Sequence, residues 1–269
     1  MSRLEAALDR ARTERRVALF PYLTAGYPDE SACEELLLAA AESGADGLEI
    51  GIPFSDPLAD GVTLQRASQA ALAGGANLGR ALSLAGRLRA RVELPIVFMS
   101  YLNPLLRYGF ERFAKDAAQC GVDGLIVPDV PPEEAEAFQS SCAAHGIHYV
   151  YMLAPTSTDE RMAAVAARAS GFIYCVALVG VTGARTSVAS GLSEFLDRIR
   201  RHTSLPLLVG FGVSSAEHVR AIRAAGADAV VVASALVDRV DAANPDERRG
   251  TVSRFVRDLA SATGEQSGR

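Results

Sequence analysis

Eight short apolar runs rich in β-branched and aromatic residues, at 17–23, 47–52, 95–101, 124–127, 148–153, 172–178, 205–209 and 229–233, punctuate the chain. Between them lie longer segments in which apolar residues recur every three or four positions, the period of a helix with one buried face. The segment 29–43 shows the pattern: Cys33, Leu36, Leu37, Ala40 and Ala41 form one stripe, with glutamates opposite. Strands alternating with helices predict βα units around a parallel sheet, not a sandwich or a bundle. At about one unit per 33 residues, the spacing is that of a closed (β/α)8 barrel, the TIM-barrel fold. The expected organisation is α/β, a single TIM-barrel domain over 1–269, with a short N-terminal helix at about 1–14 and a frayed polar tail at about 261–269.

One phrase recurs at the joints: Gly44-Ala45-Asp46-Gly47-Leu48, Gly121-Val122-Asp123-Gly124-Leu125 and Gly226-Ala227-Asp228-Ala229-Val230. Each time a glycine ends a helix, an aspartate turns the chain and a buried strand starts. An open doubly wound sheet is the competing architecture, but its dinucleotide fingerprint is missing. After Gly210-Phe211-Gly212 the third glycine is replaced by Ser215.

Composition narrows the class. Lys and Arg total 27 against 32 Asp and Glu, a formal charge of −5, and 49% of positions are hydrophobic. Such a chain has enough apolar surface to fold and lacks the basic face of a nucleic-acid binder. The N-terminal residues carry none of the zones of a secretory signal, and the longest apolar candidate, 171–181, falls short of the roughly 18 residues of a membrane span. The expected location is cytoplasmic. Cys33, Cys120, Cys142 and Cys175 lie far apart inside apolar patterns and read as reduced core residues. His145, His148, His202 and His218 do not form a ligand set, so no metal is expected.

In a parallel barrel, chemistry gathers at the C-terminal ends of the strands. After the second run comes Leu48-Glu49-Ile50-Gly51-Ile52-Pro53-Phe54-Ser55-Asp56-Pro57-Leu58-Ala59-Asp60-Gly61. Alternation turns Glu49 away from Leu48 and Ile50 and into the barrel, where burial would raise its pKa toward the range useful for proton transfer. An ion-paired structural glutamate is the alternative. Asp56 and Asp60 read separately as turn or cap residues, with Asp60-Gly61 opening a helix over 62–73. Taken with Glu49 they are carboxylates around one pocket mouth, suited to acid/base work on opposite ends of a substrate.

The segment Gly210-Phe211-Gly212-Val213-Ser214-Ser215-Ala216-Glu217 and the phrase Ala233-Ser234-Ala235 follow the last two strands, the usual phosphate position of the barrel. A capping box of Ser214 with Glu217 is a compatible alternative. The stretch of about a dozen residues containing Gly180-Val181-Thr182-Gly183-Ala184-Arg185-Thr186-Ser187 shows no helical period, and reads either as a lid or as a variable surface loop. The chain has a single lysine, Lys115, on the polar face of a helix. Schiff-base and metal-dependent aldol chemistry are therefore disfavoured, leaving carboxylates acting on a phosphorylated substrate.

These residues, with Tyr101-Leu102-Asn103-Pro104 and Pro128-Asp129-Val130-Pro131, closely resemble the α subunit family of tryptophan synthase, in the right order from about Phe20 to Val237. The resemblance implies a retro-aldol lyase that cleaves indole-3-glycerol phosphate to indole and glyceraldehyde 3-phosphate. By matched positions it implies Glu49 and Asp60 as catalytic groups, and Tyr22, Tyr101, Leu125, Tyr174, Thr182 and Phe211 as substrate contacts. Gly183, Gly212, Val213 and Ser234 match phosphate contacts. It also implies a β subunit carrying pyridoxal phosphate, in an α2β2 complex, with no cofactor on this chain. The matched partner surface is Pro53, Asp56, Asn103, Pro104, Pro131 and Pro132. Ala233 stands where the family commonly has glycine, which would matter if that backbone needs a positive φ. A stand-alone lyase and a non-catalytic phosphate-binding activator are the alternatives.

Overall fold

Each predicted apolar run carries a strand: β1 (Ala18–Thr24), β2 (Leu48–Gly51), β3 (Ile96–Met99), β4 (Gly124–Ile126), β5 (His148–Leu153), β6 (Ile173–Val176), β7 (Leu207–Gly210) and β8 (Ala229–Val232). They pair in parallel in chain order, and β8 returns to β1, so the sheet closes into a barrel with no free edge. The structure is a computed structural model describing residues 1–176, 185–210 and 212–264, with 185–190 by backbone alone. Around the barrel run α1 (Arg3–Thr13), α2 (Glu30–Glu42), α3 (Val62–Ala73), α4 (Leu78–Arg89), α5 (Leu102–Tyr108), α6 (Phe110–Gln119), α7 (Glu136–Ala144), α8 (Asp159–Ala166), α9 (Arg185–Arg200), α10 (Ala216–Ala224), α11 (Ser234–Ala242) and α12 (Arg248–Ala260). No helix among the described residues is long and apolar enough to cross a membrane.

Three differences from the sequence reading concern ends. The stretch expected to lack helical period through Ser187 is already helical from Arg185. The tail does not fray at Ser261: Ala262 and Thr263 are buried, and the Thr263 carbonyl accepts the Val17 N–H at 3.1 Å. That bond ties Thr263 to the entry of β1. Helix α10 is capped by Ser215, which accepts from the His218 N–H, so the cap lies one residue beyond the expected Ser214.

The recurring Gly-x-Asp phrase proves to be a cross-strand clasp at the N-terminal end of the barrel. Gly44, Gly121 and Gly226 take positive φ, a conformation that glycine adopts without steric cost. Each aspartate then accepts the N–H of a residue at the entry of the preceding strand, Leu19 for Asp46, Ile96 for Asp123 and Leu207 for Asp228. An arginine just upstream of that same strand completes the carboxylate: Arg16, Arg89 and Arg200 in turn. Helix α1 adds Arg3 to Asp123 and Arg10 to Asp46, and its Ser2–Glu5 capping box fixes where it starts.

The opposite end is left for chemistry. Strand register carries one parity around the barrel: Tyr22 pairs with Glu49, Met99 with Ile126, Met152 with Tyr174 and Gly210 with Val231. Residues of that parity point inward and the alternate set packs against helices. Among the four cysteines, Cys33, Cys142 and Cys175 are buried and Cys120 is half-buried.

Candidate active site

A cavity of about 510 Å³ opens at the C-terminal end of the barrel, floored by Met99, Ile126, Met152 and Val231. Glu49 enters it from β2 and is only 4% exposed. Among the described residues nothing cationic pairs with it. Burial first, and the nearby Asp60 second, push its carboxyl up to about 8. Among the described residues Glu49 therefore has no ion-pair partner of the kind a structural glutamate would need.

Asp60 reaches the same cavity from the loop after β2. It does not cap α3, whose N-cap is Gly61 without a side-chain bond. Burial raises Asp60 to about 6, against a hydrogen bond from Tyr101 that favours the charged form. The Tyr101 hydroxyl also accepts the Ala59 N–H at 3.0 Å, so one phenol fixes both residues of the loop.

Tyr22 and Tyr174 bring two more phenols into the cavity, and burial holds both hydroxyls well above their usual range. The Tyr22 hydroxyl lies 3.3 Å from the buried Thr24 Oγ1. Its room depends on the neighbouring strand: a Cβ at Gly51 would stand 1.9 Å from that hydroxyl oxygen. Gly210 on β7 leaves the same space for Tyr174, at 2.0 Å.

Across the cavity, Gly212, Val213, Ser214, Ala233, Ser234 and Ala235 form a wall at two helix starts. Gly212 takes φ +73, and α11 begins without a side-chain cap. Its N-terminal end thus lies at the cavity wall with no side chain capping it, and a helix N-terminus of that kind suits an anion. The Gly212→Ala variant forces an L-residue into the left-handed region, at a cost of about 1–2 kcal/mol. We expect it to raise KM for a phosphorylated substrate several-fold with kcat less changed, measured by steady-state kinetics.

The family model for the tryptophan synthase alpha chain matches residues 8–263. The chain belongs to the tryptophan synthase alpha chain family. An alpha chain from Roseiflexus castenholzii is 51% identical over 260 residues, covering 96% of this chain and 98% of that one. One from Geobacter sulfurreducens is 44% identical over 264 residues, covering 98% and 100%. Among solved structures, a chain of Mycobacterium tuberculosis tryptophan synthase superposes with TM-score 0.89 at 37% identity, covering 98% and 99%. As a tryptophan synthase alpha chain, it is a lyase component of tryptophan biosynthesis.

Within this alpha chain the structure gathers Glu49, Asp60, Tyr22, Tyr174, Gly212, Val213 and Ser234 around one cavity, with Tyr101 behind Asp60. Thr182, Gly183 and Phe211 lie outside the described residues, as does the core of the expected lid. Leu125 is a correction. It is fully buried in register with Phe98 and Tyr149, on the outward parity, and Ile126 lines the cavity instead. Ala233 sits at φ −116, so the methyl meets no positive-φ penalty.

The sequence reading missed Met99, Met152, His218 and Asp238 in the cavity wall. The methionines share the inward parity of Glu49 only through the register of the ladder, which alternation along a single strand does not give. The helix residues carried no comparable signal. On the outer rim Pro53, Asn103 and Pro104 share a groove of about 650 Å³ with Phe54 and Tyr108, whereas Asp56 and Pro131 are exposed and do not line it.

Proposed function

We propose that this chain cleaves indole-3-glycerol phosphate to indole and glyceraldehyde 3-phosphate, with Glu49 and Asp60 as its acid/base pair. The observation that carries the reading is that one cavity drives two carboxyls to different values, about 8 and about 6. At neutral pH the first holds its proton and the second has lost it. Glu49 can then donate to C3 of the indole ring while Asp60 accepts the ring N–H and stabilises the charge that develops. The Glu49 carboxylate takes the proton from the hydroxyl on the adjoining side-chain carbon. The carbon–carbon bond breaks, its electron pair returns to the ring, and an aldehyde leaves.

The protons balance, with one given to C3 and one recovered from the hydroxyl, so Glu49 ends as it began. The wall of Gly212, Val213 and Ser234 holds the phosphate end. Nothing in this sequence of steps calls for a cofactor on the chain. Pyridoxal phosphate belongs on a β subunit, which would receive indole through the surface of Pro53, Asp56, Asn103, Pro104, Pro131 and Pro132 in an α2β2 complex. A cytoplasmic setting fits a phosphorylated substrate.

Because one carboxyl must be charged and the other neutral, indole release should rise as pH passes about 6 and fall as it passes about 8. The test is to follow indole from the purified chain across that range, with and without the β subunit from the same source. Slow release that rises strongly with the partner supports the synthase subunit. Fast release indifferent to it favours a stand-alone lyase, and none under either condition sinks the catalytic reading.

A further inference from the structure

The Pro128-Asp129-Val130-Pro131 phrase has no part in the chemistry above, yet its aspartate is bonded in a specific way. Both carboxylate oxygens of Asp129 face the N–H of Leu102, at 2.9 and 3.1 Å. Leu102 opens α5, and its N–H is one that the helix cannot satisfy from within. The other side of that same peptide, the Tyr101 carbonyl, accepts the Ser100 hydroxyl at 3.1 Å. The peptide following Tyr101 is therefore gripped from both ends.

Tyr101 is the junction of three loops. Its ring lies against Phe54, with centroids 5.5 Å apart, and its hydroxyl holds Ala59 and Asp60. Its backbone starts α5, which carries Asn103 and Pro104, while Pro131 and Pro132 follow Asp129 after one residue, Val130. Every candidate partner-facing segment thus ends on the tyrosine that orients Asp60.

We propose that Asp129 is a positioning residue: by fixing the Tyr101–Leu102 peptide it sets the Tyr101 hydroxyl on Asp60, and so links the partner-facing rim to the catalytic loop. The proposal rests on the reading of Asp60 as a catalytic group. Losing the clasp loosens the donor that favours ionised Asp60, so the carboxyl is harder to ionise and the acid limb of the rate profile moves upward. The other groups facing Asp60 stay in place: Glu49 on β2, Tyr22 on β1 and Tyr174 on β6, with His218 of α10 and Asp238 of α11 on the same cavity wall.

The experiment compares pH profiles of indole release by the full chain carrying Asp129→Ala, Asp129→Asn, Tyr101→Phe and the double change Asp129→Ala with Tyr101→Phe. For Asp129→Ala we expect kcat to fall about tenfold with KM little changed, and the acid limb to move up by about half a pH unit. Asp129→Asn, whose amide oxygen still accepts from Leu102, should restore most of both. The double variant should be no worse than Tyr101→Phe alone. An active wild type with an unmoved acid limb in Asp129→Ala, or losses that add in the double variant, overturns this proposal alone. A wild type that releases no indole overturns the reading of Asp60 and this proposal with it.

Discussion

Glu49→Gln is expected to remove indole release while making the protein harder to unfold. Loss of a positioned acid/base group costs on the order of 10²–10⁴ in rate, and Gln can neither give nor take the proton. The stability gain follows from the same burial. The Glu49 carboxyl is held near 8 in the fold against an ordinary 4.5, so between those values the folded chain binds a proton that the unfolded chain has released. Stability from this group is complete below pH 4.5 and drains away as pH rises toward 8. At neutral pH the loss is on the order of 3 kcal/mol. An amide of the same shape carries no such penalty. The variant should therefore match wild type near pH 4.5 and exceed it increasingly up to pH 8, in urea unfolding followed across pH. A gain that does not grow with pH would show that Glu49 is not buried uncharged.

Asp123→Ala is expected to cost more stability than the equivalent change at Asp228, about 3–5 kcal/mol, with little change in kinetics while folded. Asp123 closes on Arg89 at 2.8 Å, on Arg3 at 3.1 Å and on the Ile96 N–H at 2.9 Å. The Arg89 side chain is 14% exposed, so truncating its partner strands a charge and a strand N–H out of reach of full solvation. Burial already disfavours the Arg89 charge, and the Asp123 carboxylate works against that. The equivalent change at Asp228 should cost less, because Arg200 is 32% exposed and can turn to water. Denaturant midpoints of the two variants measure the ranking, and equal losses would contradict it. Activity should survive both changes, since the clasps lie at the end of the barrel away from the cavity.

The barrel was legible because its strands and helices have different periods and the glycine-aspartate joints mark where one gives way to the other. Glu49 was legible for a related reason, since a carboxylate inside an apolar strand has to face inward or outward by alternation alone. Leu125 shows the limit of that logic. On a strand of three residues, both Leu125 and Ile126 are apolar and fully buried, and only the ladder to Met99 says which of them sees the cavity. The shift of the α10 cap from Ser214 to Ser215 has the same origin, with two adjacent serines able to serve and the backbone choosing between them. Asp129 was quoted as part of a motif and given no role, because its partner is a backbone N–H on a different strand's loop. Such a bond leaves no pattern in a linear sequence.

The seat that Gly51 provides for Tyr22 has a consequence for redesign. The phenol occupies the volume that a side chain at position 51 would need, so the two positions share one fixed allotment of space across the β1–β2 ladder. Any residue larger than glycine at 51 must be accompanied by a smaller one at 22, and a smaller residue at 22 leaves a void that only 51 or the ligand can fill. A library meant to admit a bulkier aromatic ring should therefore vary these two positions together, because changes made one at a time sample only clashes and holes.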